Sequence, residues 1–162
     1  MRKFVTNLHI LSRLFGHAPP TWRTWKRRGI VQLEKAKSNS VVFSARDLVA
    51  ASFVAAFAHA GARGRRLKKL WAMVKDGFQE SDRHPGVRPW LWCDVPSGVI
   101  RVFCALEKGR PAHPPEVKMW CLPELERDWQ KAIDAACVGA LTRKVAENRL
   151  LEKASEITAV LQ

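Results

Sequence analysis

The sequence predicts an α+β chain: a winged helix-turn-helix over residues 1–78, a linker over 79–89, a small β segment over 90–121 and a long helical arm over 122–162. Three observations predict it. Two short stretches with helical spacing meet at Gly16 to Pro20. Short β-like runs around polar turns follow, once near residue 35 and again near residue 97. From residue 123 onward the apolar residues return to helical spacing.

Leu8, Leu11 and Phe15 share one helical face, and Gly16 ends that helix by taking the left-handed terminal conformation. After His17-Ala18-Pro19, Pro20 suits the first turn of a second helix, which runs to Arg28 and stops at Gly29. Two helices so tightly joined make a helix-turn-helix. Ile30 to Leu33 and Val41 to Phe43 flank a polar, basic stretch and read as a hairpin. Ser44 caps a helix from Ala45 to Ala60, with Asp47 in its first turn, and Gly61 closes it. Arg65 to Phe78 follows, with Leu67, Leu70, Trp71 and Val74 on one side and cations on the others.

The polar, proline- and glycine-broken residues 79–89 read as a linker. Beyond them, residues 90–95 and 99–106 flank Pro96-Ser97-Gly98 as a hairpin, and Glu116 to Cys121 forms a third extended run. In the last segment Leu125, Trp129, Ala132, Ala136, Leu150, Ile157 and Leu161 keep 4-3 spacing, with Gly139 a point of division. Such spacing suits a seam between two helices, and the expectation is a homodimer joined there, against the alternative that the helix packs on the 90–121 sheet.

Charge narrows the partner. The 162 residues carry a formal net charge of +13. Residues 1–75 hold sixteen lysines and arginines against Glu34 and Asp47, a net of +14, which leaves −1 for the rest. A cationic surface concentrated in one half points to a polyanion rather than to solubility alone. No long apolar run or leader-like apolar core is present, so the expectation is a cytoplasmic, nucleoid-associated protein without a membrane span. Cys93, Cys104, Cys121 and Cys137 lack Cys-x-x-Cys spacing, and the five histidines lack metal-ligand spacing. With no phosphate loop, serine elbow or paired acidic motif, an enzyme, a metal and a cofactor are not expected.

In Thr21-Trp22-Arg23-Thr24-Trp25-Lys26-Arg27-Arg28-Gly29-Ile30-Val31, the positions Thr21, Arg23, Trp25, Gly29, Ile30 and Val31 fall on a known pattern. This segment resembles the MerR family of winged-helix transcription regulators, and Phe43 to Leu48 resembles that family's wing exit and third-helix start. The resemblance covers roughly residues 5–75. The family usually has an acidic residue at Lys26, an aliphatic at Trp22 and an arginine at Val41. MerR-like domains of phage and plasmid proteins, excisionases and small terminase subunits among them, share the pattern.

The resemblance implies sequence-specific binding of double-stranded DNA, with a dimerising coiled coil after the DNA-binding domain. The chemistry of the residues fits that expectation. A recognition helix offers a few side chains to base edges in the major groove. Arg23 is the candidate base contact, because a planar guanidinium pairs bidentately with guanine. Thr21, Arg27 and Arg28 are candidates for phosphates, with Thr24 and Lys26 on the same helix, Trp22 at its edge and Trp25 in the core. Lys35 and Lys37 at the wing tip, and Arg46 and Arg65 on the next two helices, complete the expected DNA-binding set. Two alternatives stay open: an architectural DNA-binding protein of a mobile element, and a ligand-sensing or protein-interaction module. Trp90, Trp92, Phe103 and Trp120 are the residues from which a small-molecule cage could be built, although aromatic residues in this setting are more often core.

Overall fold

The computed structural model describes residues 2–36, 40–94, 99–105 and 117–159, with backbone alone for 102–105. It is a mixed α+β structure of six helices and two small three-stranded antiparallel sheets among the described residues. Strand β1 (Phe4–Asn7) is followed by α1 (His9–Phe15) and α2 (Pro19–Arg27), then by β2 (Glu34–Lys35) and β3 (Ser40–Phe43). β3 is the centre of the first sheet, pairing Phe43 with Phe4 on one side and Val42 with Glu34 on the other.

Helices α3 (Ala45–His59) and α4 (Gly64–Arg83) come next. Ser44 starts α3 with a reciprocal cap: its hydroxyl accepts from the Asp47 N–H, and the Asp47 carboxylate accepts from the Ser44 N–H. Ten of the fifteen α3 residues are buried, so this alanine-rich rod is the axle against which the other elements pack. The second sheet holds β4 (Arg88–Asp94) between β5 (Val99–Ala105) and β6 (Val117–Cys121). Helices α5 (Leu122–Cys137) and α6 (Arg143–Ala159) complete the chain. No helix among the described residues is long and apolar enough to cross a membrane.

Three expectations need correction. Ile30 and Val31 are not a strand: both are buried, and their N–H groups bond back to the Trp25 carbonyl to close α2. Helix α4 runs on to Arg83, through the first part of the expected linker, because buried Phe78 and an ion pair at Asp82 hold it to its neighbours. The C-terminal segment is a pair of helices divided at Gly139, which has φ +60°, in keeping with the point of division read from the sequence.

The third concerns the expected dimer seam. Leu125, Trp129, Ala132, Ala136 and Leu150 are buried in this chain's own core, and Ile157 packs against it. That core runs from Phe4 to Ala154, so these residues of α5 and α6 are already packed within the chain, against α1, α3 and each other. Leu161 lies outside the described residues.

Candidate nucleic-acid interface

The α1–α2 connection is held in a fixed shape. Gly16 has φ +71° and His17 has φ +56°, the region that favours glycine. His17 keeps it because its ring stacks on His59 of α3 at 3.9 Å and its Nε2 donates to the Ala55 carbonyl at 3.1 Å. Its edge also meets Trp25 at 5.0 Å. The end of α3 therefore sets the angle at which α2 leaves the turn.

Within α2 the two tryptophans face inward. Trp22 is fully buried, its indole N–H donating to the Gly16 carbonyl at 3.0 Å, and it meets Trp25 edge-on at 4.9 Å. This corrects the expectation that Trp22 touches DNA: its polar atom is satisfied inside, which removes the cost of burying the ring. Residues four apart share a helix face, so with the tryptophans inward, Arg23 and Arg27 point to solvent together. Arg28 is exposed beside them, and Thr21, Thr24 and Lys26 are half-buried along the edges. The Arg23 guanidinium sits 3.2 Å from His9 Nε2, a contact that orients it when the imidazole is neutral.

One cation from another element approaches the end of α2. Lys68 of α4 reaches the end of α2, since a Cβ built on Gly29 would lie 3.9 Å from its Nζ. Arg65, one turn earlier on α4, is exposed, as is Lys35 on β2. Sequence reasoning placed Lys68 on α4 but did not bring it to α2, because the contact joins positions 39 apart in the chain. Lys37 lies outside the described residues.

Arg46 belongs elsewhere. Its guanidinium donates twice to Asp82, at 2.5 and 2.7 Å, and once to Glu126 at 2.7 Å, and it lies 5.0 Å from the centre of the Phe78 ring. Asp82 and Glu126 hold its pKa well above the usual arginine value. The group is spent on joining α3, α4 and α5, so it is not a phosphate contact.

The two carboxylates of the basic half are also occupied. Glu34 pairs with Lys3 at 2.7 Å, and Asp47 caps α3 and receives Lys75 at 2.7 Å. Among the described residues, no carboxylate lies within ion-pair distance of Arg23, Lys26, Arg27, Arg28, Lys35, Arg65 or Lys68. Like charges gathered without counterions raise the local potential and favour an anionic partner.

Among the described residues, the remaining candidates form no second centre of this kind. Cys93 and Cys121 are buried free thiols, and burial pushes both above the usual thiol range, away from the thiolate a sensor needs. Among the described residues, no three His, Cys, Asp or Glu side chains gather as a metal site. Compared with protein-family models, curated proteins and solved structures, the chain matches none.

Proposed function

We propose that this chain is a sequence-specific double-stranded DNA-binding regulator of transcription, a winged helix-turn-helix in which α2 enters the major groove. The observation that supports this reading is the bare cationic face of α2, approached by Lys68 at its end and left without carboxylate partners among the described residues. Arg23 reads a base edge, held in place by His9; Thr21, Arg27 and Arg28 hold phosphates on either side. Lys35 on the hairpin, with Lys68 and Arg65 on α4, extends the phosphate contacts along the duplex. The proposal does not require a dimer through α5 and α6.

Selection from a random duplex library, followed by titration at several salt concentrations, tests it. The expected result is an enriched site, bound with a log K against log salt slope of about −5 if roughly six phosphates are neutralised. Arg23→Ala should lower discrimination between the selected site and random duplex by about 1–3 kcal/mol. Equal weakening on both duplexes would make Arg23 a phosphate contact. Binding without any enriched site would leave an architectural role in place of a regulatory one.

A further inference from the structure

The DNA-binding reading leaves a second surface unused. The end of α3, the first half of α4 and the β4–β6 sheet enclose a groove of about 650 Å³. Phe57, Met73, Ile100 and Trp120 line its apolar floor. It is open at the rim: Ala60 and Gly61 are exposed, and Val99 is 40% exposed. Among the described residues, the charged side chains that line it are Arg66, Lys69 and Lys118, with Asp94 next to the lining Cys93. None of its described lining residues belongs to α2, β2 or β3.

Helix α4 builds both parts of this groove. Leu67, Leu70, Trp71 and Val74 are buried on the core side. Arg66, Lys69, Leu70 and Met73 follow one another at i, i+3, i+4 and i+7, which runs a stripe from cationic to apolar along the groove wall. Arg66 and Lys69 are exposed and, among the described residues, have no carboxylate partner.

We infer that this groove receives an acidic amphipathic helix of a partner protein. Its apolar side chains would lie on Phe57, Met73, Ile100 and Trp120, and its carboxylates beside Arg66 and Lys69. Three features select this occupant. An open groove lets a helix bury one face while its other face stays in water. The exposed pair Arg66 and Lys69 on the α4 wall accepts carboxylates and disfavours a basic segment. Methionine in the floor repacks around side chains of differing shape at little cost. No residue of α2 lines the groove, and peptide binding is read directly, apart from any binding of DNA.

The test uses the full chain and a fluorescent stapled helical peptide with leucines at i, i+3, i+4 and i+7 and glutamates elsewhere. Three controls accompany it: the same composition scrambled to destroy the apolar stripe, a version with lysine for glutamate, and dodecanoate. Anisotropy reports affinity, and methyl NMR at Met73 and Ile100 reports the site. The expected result is binding of the striped acidic peptide with shifts at both methyls. Binding should weaken about tenfold or more in Arg66→Glu/Lys69→Glu, a change of exposed residues that keeps the fold. Met73→Asp should weaken it as well. The inference is overturned if the scrambled peptide binds equally, if the charge-reversed protein binds unchanged, or if the striped peptide does not bind. Methyl shifts with dodecanoate alone would assign the groove to a small anionic amphiphile and overturn the helix.

Discussion

Helices α2 and α5 start from the same physical pattern and end in different employment. Each turns tryptophan into the core, Trp22 and Trp25 from one and Trp129 from the other, and Phe15 touches both sets, at 6.2 Å from Trp22 and 5.6 Å from Trp129. Their outer faces differ. On α5, Glu126 takes Arg46, Glu124 takes Arg88, and Asp134 accepts from Gln130. On α2, Arg23, Lys26 and Arg27 meet no carboxylate among the described residues. Apolar spacing therefore says only that a face is covered. The pairing of the polar face separates a helix that braces the molecule from one that meets something outside it.

The largest expected effect breaks the bracing helix. Trp129 is 1% exposed and packs against Phe15 of α1, so Trp129→Ala should lower stability by about 4 kcal/mol through lost burial and the cavity left behind. Urea unfolding followed by circular dichroism measures this. The midpoint should not move with protein concentration, because the contact lies within one chain. A concentration-dependent midpoint, or a loss under about 1 kcal/mol, would return α5 to a subunit interface.

A smaller effect is expected at the joint between helices. Arg46→Gln removes the guanidinium from Asp82 and leaves Glu126, whose side chain is 15% exposed, without its partner. The expected loss is about 2 kcal/mol. Arg46 holds the Asp82 carboxyl below its ordinary value near 3.8. A depressed folded-state value stabilises above the unfolded one and is lost as pH falls through the folded one. The gap between the native protein and Arg46→Gln should thus be full at pH 7 and narrow below about pH 4. Affinity for DNA should be unchanged in the variant, since Arg46 is turned inward. An unaltered gap at pH 3, or weakened DNA binding at pH 7, would contradict this assignment.

Local signals were readable in the sequence, and distant ones were not. The Ser44–Asp47 cap, the Gly16 turn and the antiparallel β4–β5 pair announce themselves within a few residues. Strand β1 went unseen because its four residues are too short to show a period and its partner Phe43 lies 39 positions on. Ile30 and Val31 carry a strand's residue types, yet the Trp25 carbonyl claims both N–H groups. Polar residues 79–83 resemble a linker until Arg46 supplies a partner at Asp82. At the candidate site, the exposed arginines of α2 were legible from their spacing. The burial of Trp22, the approach of Lys68 and the loss of Arg46 to ion pairs were not, because each is decided by a residue from another element.

The smallest expected effect sharpens the comparison most, because its sign is unusual for a substitution in a native helix. Arg23 stands four residues before Arg27 on an outer face with no carboxylate to offset it, and such like-charge pairs destabilise a helix by a few tenths of a kcal/mol. Alanine is also the better helix former. Against these stands only the exposed contact with His9. Arg23→Ala should therefore raise stability by about 0.3 kcal/mol at low salt, and the gain should shrink at about 1 M salt as the repulsion is screened. Replicate urea titrations of both proteins, at low and high salt, resolve it. A variant that is more stable and discriminates DNA less well would show that Arg23 is kept at a cost to the fold, as functional residues often are. A loss of stability instead would mean that Arg23 serves the fold, and α2 would then join α5 as a brace.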